Sequence, residues 1–404
     1  MTLDVRVLTA DEVEQAETVF AHAFGVAHRH DLGEHMERVR QRFEPEWYMG
    51  AFEAEELTSM MRIIPNEMYI NGAALGFGTV SPVASSPLHR RQGHTGALLR
   101  RSLEVMRERG QPIAGLYTPH PAFYRRYGWE IAAEQRTYRF KPKDLDLQVT
   151  PSQRGSFHML RPADWQQLLP VYEPFAARSN GTFVRNERWW TSYVLGAVWR
   201  GQHDIVLWRD DAGAAQGYAV FLLPNTGEDA NKVVVIELTA LTGDAYANLL
   251  GYFGRYDLHR EVMIYGSPHD TLPLQFLDTE RLEITDQFSV MLRVNDFEAA
   301  MSARPPARYD ESAEVVLRID DRTAPWNEGT WRVGVAEGRT LVARTEAEPE
   351  LTVSERILAP LFNGHLRPTY AYEAGLLTAT TDDALERADR IFAVKRPPFF
   401  PDHF

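Results

Sequence analysis

The chain has 404 residues, more than one ordinary hydrophobic core holds, so we expect two or three domains. Its formal net charge of −13 argues against general nucleic-acid binding, which needs a basic face; it favours a cationic substrate, although acidity for solubility is the simpler explanation. The absence of cysteine excludes disulfides, thiolate metal sites and a cysteine nucleophile, and it is compatible with a reducing cytoplasm.

The sequence carries no visible membrane-spanning or secretory signal. No apolar run approaches the roughly 20 residues of a membrane span, and residues 1–6 do not begin a basic stretch followed by an apolar one. We therefore predict a cytoplasmic protein without membrane or nucleic-acid partners. His28, His30 and Asp31 stand close together, but their spacing supplies no second pair of ligands, so we predict a polar loop there and no metal site.

The N-terminal stretch alternates between strand and helix patterns. Thr9 or Asp11 can cap a helix that continues to about Phe24. Asn71-Gly72 is typical of a type I′ turn and predicts a hairpin between two long strands. The predicted strands occupy residues 5–8, 48–52, 57–70 and 73–84.

A basic, glycine-containing turn follows the strand at 73–84. It reads Pro87-Leu88-His89-Arg90-Arg91-Gln92-Gly93-His94-Thr95-Gly96-Ala97 and leads into an apolar stripe at helical spacing, which Gly110 ends. The first N–H groups of a helix have no intrahelical partner, and glycine removes the Cβ that would keep a ligand away from them. With Arg90 and Arg91 the turn suits a pyrophosphate; an ordinary turn with two solvated arginines is the alternative.

The next strand pattern, at 112–118, completes a strand–helix–strand unit, so this strand should run parallel to the one before the basic turn. Pro119 and Pro121 then start a short aromatic helix at 122–127, which Gly128 ends. Residues 129–140 return as one or two strands.

A second α/β unit follows a polar linker at 144–156. Its order of strands and helices echoes the first unit, but the strand at 232–241 leads into a helix at 243–253 without a basic glycine loop. We infer a degenerate copy that does not hold the same ligand. Glu237 and Asp270 could line an acidic pocket there or be ordinary surface carboxylates.

From residue 289 the pattern changes to several short strands and helices, which suggests an α+β layer. The predicted strands lie at 313–319, 329–335, 339–344 and 351–353, and the helices at 355–362 and 382–392. The chain ends in an apolar, proline-stiffened segment from Pro397 to Phe404. A terminus of this composition is expected to be tucked in rather than frayed.

Two motifs resemble known sequences. Arg90-x-x-Gly93-x-Thr95 resembles the acyl-CoA loop of GNAT-superfamily N-acetyltransferases, although Thr95 stands where glycine or alanine is expected. The string from His89 to Gly93 and the segment Phe123-Tyr124-Arg125-Arg126-Tyr127-Gly128-Trp129 resemble the narrower Eis-like (enhanced intracellular survival) group. The resemblance implies an α/β and α+β fold: tandem GNAT domains with mixed, splayed sheets, at 1–150 and 151–288, and a sterol-carrier-like domain at 289–404.

The resemblance also implies roles for individual residues, with acetyl-CoA as the co-substrate. Tyr124 would protonate the leaving thiolate as general acid, unless it is part of an aromatic plug. The α-carboxylate of Phe404 would be the general base, with His403 or water as alternatives. Val83 and Ser85 would bind the pantetheine arm and the acetyl carbonyl by main-chain groups. The residues expected at the pyrophosphate are Arg90, Arg91, Gly93, His94, Thr95 and Gly96.

The expected function is an acetyl-CoA-dependent N-acetyltransferase. The acceptor would be a primary amine on an aminoglycoside, a polyamine or a lysine side chain, attacked directly in a ternary complex. The alternative is a catalytically inactive GNAT-like scaffold or a protein that binds a lipid or acyl ligand. The resemblance further implies a homo-oligomer, such as a hexamer.

Overall fold

The computed structural model describes residues 3–25, 33–152, 154–196, 203–288, 290–308 and 312–404. The predicted polar loop with His28, His30 and Asp31 lies outside these residues. The chain forms two compact units. Unit 1 comprises residues 1–132 and 290–398 with Phe404, and unit 2 comprises residues 133–289 and 399–403.

The strands and helices are numbered in chain order. The strands are β1 Leu3–Val7, β2 Tyr48–Glu53, β3 Glu56–Ile70, β4 Ala73–Ser85, β5 Ile113–Leu116, β6 Glu130–Ile131, β7 Glu134–Phe140, β8 Ser156–Leu160, β9 Asp204–Arg209, β10 Ala215–Leu222, β11 Lys232–Ala240, β12 Glu261–Gly266, β13 Glu283–Phe288, β14 Met291–Val294, β15 Ala313–Asp320, β16 Gly329–Ala336, β17 Arg339–Arg344, β18 Leu351–Ser354 and β19 Leu377–Ala379. The helices are α1 Val13–Phe24, α2 Gly33–Arg42, α3 His94–Glu108, α4 Pro121–Tyr124, α5 Leu169–Arg178, α6 Glu187–Trp189, α7 Gly243–Phe253, α8 Leu272–Gln275, α9 Phe297–Ala303, α10 Glu355–Phe362, α11 Pro368–Glu373 and α12 Asp382–Phe392. In the described part of the chain, none of these helices combines the length and the apolar character needed to cross a bilayer.

The first sheet of unit 1 has the strand order β1-β2-β3-β4-β5-β14-β6. The predicted hairpin is confirmed, because Asn71 and Gly72 both have positive φ (49° and 94°) and connect the paired strands β3 and β4. The strand–helix–strand unit is confirmed too, since β4 and β5 are parallel with α3 between them. The apolar stripe of α3 is fully buried against the sheet through Leu98, Leu99, Leu103 and Met106.

The C-terminal part of unit 1 has a sheet of its own, in the order β17-β16-β15-β18-β19. Its β15 and β18 are parallel and its other pairs are antiparallel. The predicted helix at 382–392 is confirmed as α12, which buries Leu385, Ala388 and Ile391, three residues at a spacing that places them on one face. The α+β layer expected for this region is therefore confirmed.

The sheet of unit 2 has the order β13-β7-β12-β11-β10-β9-β8, with β11 and β12 as its parallel pair. Two strands pair outside the domain that the predicted boundaries assign them to. Strand β7 (134–140) pairs in the sheet of unit 2, and β14 (291–294) pairs between β5 and β6 of unit 1. The domain boundaries at residues 150 and 288 stay a prediction.

Glu237 of β11 does not behave as a surface carboxylate. It is buried, its Oε2 atom accepts a hydrogen bond from Arg185 Nη2 at 2.6 Å, and the Tyr218 hydroxyl donates to its Oε1 atom. Asp270 is half-buried and accepts a hydrogen bond from Tyr246 at 2.6 Å, and its burial raises the pKa of its carboxyl. The surface interpretation is therefore wrong for Glu237, because a positive partner and a phenol compensate its burial.

Candidate active site

The parallel strands β4 and β5 of unit 1 separate after a short paired stretch. They pair only from Phe77 with Ile113 to Thr79 with Gly115, although β4 continues to Ser85. From Ile113 onward β5 pairs on its other side with β14. Residues 80–85 thus turn one backbone edge toward an opening that no strand among the described residues fills.

The hydrogen bonds of β4 with β3 tell which N–H groups face this opening. Ser86 N–H donates to the Thr58 carbonyl at 2.8 Å, so the amide of residue 86 faces β3. Backbone groups alternate between the two edges of an antiparallel strand, and the β3–β4 register runs without a break from Val83 to Ser85. The amides of Ser85 and Val83 therefore face away from β3, into the opening.

Helix α3 begins at the same edge of the sheet with unsatisfied amides. Gly93 precedes it with φ of +90°, a backbone conformation that favours glycine, and a Cβ there would meet nothing within 4 Å. The first intrahelical bond runs from Ala97 N–H to the Gly93 carbonyl at 3.1 Å. The amides of His94, Thr95 and Gly96 thus have no helical acceptor, and the described residues supply no side-chain cap at Gly93.

Two arginines stand beside this helix start. Arg90 and Arg91 are exposed, and neither forms an ion pair or a hydrogen bond with another described residue. Arg91 has a positive φ of 66°, which is uncommon for a residue other than glycine. Uncompensated cations next to unpaired amides are what an anionic ligand requires.

Thr95 is attached to the strands by its hydroxyl. Its Oγ1 atom lies 2.5 Å from Ser85 Oγ and 3.5 Å from Ser59 Oγ, and the two serine oxygens are 2.9 Å apart. The side chain that replaces the expected glycine or alanine is thus engaged with β3 and β4. Sequence reasoning missed Ser59, because no motif on β3 singles it out.

Gly96 and His94 are both buried at the start of α3. A Cβ on Gly96 would lie well inside contact distance of Tyr127 Oη, so the absence of a side chain lets the helix pack against the turn that carries Tyr127. The His94 ring stacks at 6.2 Å on that of His89, and its Nδ1 atom has no hydrogen-bond partner among the described residues.

Tyr124 is the last residue of α4, which starts with Pro121 and continues as a 3-10 turn to Gly128. The ring is half-buried and packs edge-on against Phe123 (5.1 Å) and Trp129 (6.4 Å). Burial raises the pKa of the phenol to about 12. Within the described residues the hydroxyl makes no hydrogen bond, and Tyr124 packs against the same core as Val83 and Tyr127.

The last residue of the chain also belongs to unit 1. The ring of Phe404 packs edge-on at 4.9 Å against Tyr117, which directly follows β5. His403 belongs to unit 2, where its Nε2 atom lies 2.9 Å from Gln135 Nε2. Within unit 1 the ring of Phe404 therefore lies at the end of β5, which precedes the helix of Tyr124 by a short segment of sequence. The described partner of His403 is Gln135 of unit 2.

Three domain models match this chain. A model of the acetyltransferase (GNAT) domain matches residues 4–132, and a second GNAT domain model matches residues 181–294. A sterol carrier protein domain model matches residues 297–401. The expected fold class is confirmed: two GNAT domains precede a sterol-carrier domain.

Relatives match this chain over most or all of its length. The chain is 29% identical to an uncharacterized N-acetyltransferase of Streptomyces griseus over the whole of both chains. It is 25% identical to the N-acetyltransferase Eis of Mycobacterium tuberculosis over 83% of this chain and 81% of the relative. Its structure is similar to the crystal structure of Eis1 from Mycobacterium abscessus, with a TM-score of 0.83, 26% identity and full coverage of both chains.

Proposed function

Because the chain belongs to the Eis-like acetyltransferases of the GNAT superfamily, we propose that it transfers the acetyl group of acetyl-CoA to a primary amine. The observation that carries this proposal is the start of α3 beside the β4–β5 opening. There, three unpaired amides, Gly93 and the exposed Arg90 and Arg91 combine hydrogen-bond donors with positive charge. This combination suits the pyrophosphate of a nucleotide thioester.

The acetyl-CoA residues divide into two groups in this proposal. The amides of His94, Thr95 and Gly96 bind the pyrophosphate, and Arg90 and Arg91 supply the compensating charge. The amides of Val83 and Ser85, which face the opening, bind the pantetheine arm and the acetyl carbonyl. A main-chain N–H aimed at that carbonyl oxygen stabilises the negative charge that develops there during attack.

Tyr124 is the proposed general acid. At neutral pH its phenol is protonated, since burial raises its pKa to about 12. Complete proton transfer to a thiolate, whose conjugate thiol has a pKa of about 8.5, is uphill by about 5 kcal/mol in the ligand-free site. A hydrogen bond to the sulfur carries no such cost, so we expect Tyr124 to hydrogen-bond the sulfur early and to complete proton transfer late, after the C–S bond has broken.

The α-carboxylate of Phe404 is the proposed general base, because its ring lies beside Tyr117 at the end of β5. Extending the chain by two glycines after Phe404 moves the free carboxylate and should lower kcat by about a hundredfold or more, with unchanged affinity for acetyl-CoA. The control carries the same two glycines at the N-terminus. Full activity of the C-terminally extended enzyme would transfer the role to His403 or to water.

The acceptor is proposed to be a cationic amine such as an aminoglycoside, a polyamine or a lysine side chain, which the net charge of −13 favours. Attack is proposed to be direct, in a ternary complex, since the chain has no cysteine to carry the acetyl group. A cytoplasmic homo-oligomer, such as a hexamer, remains part of this proposal.

The decisive experiment is calorimetric titration with acetyl-CoA. Wild-type protein should bind with micromolar affinity, and Arg90→Glu with Arg91→Glu should abolish the heat of binding. The matched control, Lys141→Glu with Lys143→Glu, makes the same change of charge at two exposed lysines of unit 2 and should bind as wild type. Retained micromolar binding by the arginine variant would overturn the assignment of this loop.

Turnover is measured with the same proteins on a panel of amines. Released CoA carries a free thiol, and because the chain contains no cysteine a thiol reagent reads it without background from the protein. Binding of fatty acyl ligands without acetyl-CoA binding would instead favour a ligand-binding protein.

A further inference from the structure

The turn that follows Tyr124 is held by the C-terminal part of unit 1. Three residues of this turn and its continuation make the contacts: Tyr127, Gly128 and Glu130. Their partners come from β14 and from residues 320–356, more than 150 residues further along the chain. The segment that carries the proposed acid is therefore fixed by the C-terminal part of unit 1.

The Glu130 carboxylate is the main attachment. It is buried and accepts hydrogen bonds from Arg125 Nε at 2.8 Å and Arg125 Nη2 at 2.6 Å, on its Oε1 atom. Its Oε2 atom accepts from Arg356 Nε at 3.1 Å and from the same guanidinium's Nη2 atom. Arg125 directly follows Tyr124, and Arg356 is the second residue of α10, so one carboxylate joins the catalytic turn to the C-terminal domain.

The charges of this cluster make the attachment specific. Burial by itself raises the pKa of the Glu130 carboxyl, but the hydrogen bonds from Arg125 and Arg356 outweigh burial and leave that pKa below its ordinary value. The carboxylate is thus ionised at neutral pH and bonded to two guanidinium groups. The planar guanidinium of arginine can donate two hydrogen bonds to one carboxylate in this way, and the ammonium group of lysine cannot reproduce that geometry.

A second set of contacts, from β14 and α10, packs against the end of the same turn. Arg293 of β14 forms a fully buried ion pair with Asp321 at 2.6 Å. The position that a Cβ on Gly128 would occupy lies 2.7 Å from Arg293 Nε and 2.7 Å from Glu355 Cγ. Gly128 has φ of +81°, so both space and backbone conformation require glycine there. The close approach of this turn to β14 and α10 therefore depends on glycine, because a side chain at this position would collide with both.

We propose that Arg356, acting through Glu130 and Arg125, is a positioning residue for Tyr124, and that the sterol-carrier-like domain serves catalysis by holding the turn of the acid. This inference rests on the proposed function of Tyr124. A hydroxyl displaced by about 1 Å loses its alignment with the leaving sulfur, and a displacement of that size can lower turnover up to about a hundredfold. The acetyl-CoA loop 86–93 has no described contact with Arg356, so binding of the thioester does not depend on it.

The test is a double-mutant cycle. Arg356→Gln should lower kcat about tenfold and leave the dissociation constant for acetyl-CoA unchanged. In the Tyr124→Phe background the same substitution should change kcat less than about twofold, because the hydroxyl that it positions is gone. Arg356→Lys keeps the positive charge but loses the paired hydrogen bonds to Glu130, so its kcat should lie between those of Arg356→Gln and wild type. The same variant tests the proposal if Arg356→Gln does not fold.

The matched control is Arg387→Gln. Arg387 lies in the same domain, where it binds Glu350 and Asp383, and makes no described contact with the Tyr124 turn. It should keep the wild-type kcat. A wild-type kcat for Arg356→Gln, an equal loss in both backgrounds, or a parallel loss of acetyl-CoA affinity would each overturn the positioning role while the acid stands. Full turnover of Tyr124→Phe alone would instead remove the acid itself, and the positioning role with it.

Discussion

The two GNAT sheets contain the same central unit and differ at the start of its helix, where the proposed acetyl-CoA site of unit 1 lies. Each has a parallel pair with a helix between its strands, β4-α3-β5 in unit 1 and β11-α7-β12 in unit 2. Both pairs separate early, after Thr79 with Gly115 and after Val235 with Ile264. The connection from strand to helix spans residues 86–93 in unit 1 but only residues 241–242 in unit 2.

The starts of the two helices show what the shorter connection removes. In unit 1 Gly93 provides no side-chain cap, and Arg90 and Arg91 lie beside amides that have no partner among the described residues. In unit 2 the Thr242 hydroxyl accepts a hydrogen bond from Ala245 N–H at 3.2 Å, and Asp244 lies in the first turn. Unit 2 thus caps one amide of its helix start and adds a negative charge that repels anions, whereas the corresponding amides of unit 1 are the proposed anion site.

The openings between the parallel strands differ in the same sense. In unit 2 the separated part of β11 carries Glu237, which is buried against Arg185 and Tyr218. The helix after each parallel strand differs too: α4 ends in Tyr124, but α8 consists of Leu272, Pro273, Leu274 and Gln275. Shared topology therefore does not imply a shared site, because the site depends on donors that the fold leaves unsatisfied.

The largest effect is expected for Tyr124→Phe. Loss of a general acid typically costs 10²- to 10⁴-fold in rate, so kcat should fall about a thousandfold with unchanged acetyl-CoA affinity by calorimetry. Because burial raises the pKa of this phenol to about 12, wild-type activity should not fall on the alkaline side below about pH 10.

The control for this substitution is Tyr372→Phe, which removes an exposed phenol of the sterol-carrier-like domain and should leave kcat unchanged. If Tyr124→Phe turned over as fast as its control, the two units would no longer differ in chemistry at this position. The functional contrast would then rest on the acetyl-CoA loop alone.

Features that depend on neighbouring residues can be predicted from the sequence. Asn71-Gly72 predicts the hairpin and Gly128 predicts the end of the short helix, because both require positive φ. The loop 86–93 is recognisable for the same reason, since its glycines and arginines lie together in the sequence. Its missing counterpart in unit 2 is equally visible.

Non-local pairing explains what the sequence does not reveal. Nothing in the sequence of β7 indicates that it pairs with β12 in the sheet of unit 2, and nothing in the sequence of β14 indicates that it pairs with β5 in the first sheet of unit 1. The partner of Glu130 lies 226 residues away at Arg356, and Glu237 reads as an ordinary strand carboxylate until Arg185 is placed beside it. These contacts depend on tertiary placement, which neither periodicity nor spacing reports.

An intermediate effect is expected from exchanging glycine for alanine at the two helix starts. Gly93→Ala places a Cβ on a residue with φ of +90°, which costs about 1–2 kcal/mol or forces the loop to change conformation. The amides of α3 then shift, and acetyl-CoA affinity should fall at least about tenfold, a loss of about 1.4 kcal/mol. Calorimetry with acetyl-CoA measures this directly.

Gly243→Ala is the matched substitution in unit 2. Gly243 is the first residue of α7, has no positive φ, and a Cβ there would meet nothing within 4 Å. Alanine should therefore stabilise the protein by about 0.4–1 kcal/mol in thermal unfolding and leave acetyl-CoA affinity unchanged. Equal effects of Gly93→Ala and Gly243→Ala on acetyl-CoA affinity would contradict the distinction between the ligand-binding helix start of α3 and the capped helix start of α7.

The smallest effect is expected for Thr242→Ala, which removes the cap of α7 and so makes this helix start resemble that of α3. Loss of the hydrogen bond to Ala245 N–H should cost about 1 kcal/mol in thermal unfolding. Unpaired amides alone should not create an anion site, because Asp244 keeps a negative charge in the first turn and the connection at 241–242 contains no arginine. Calorimetry of this variant should still give one acetyl-CoA per chain. A second equivalent would mean that the cap, rather than the absent basic loop, is what keeps unit 2 from binding the thioester.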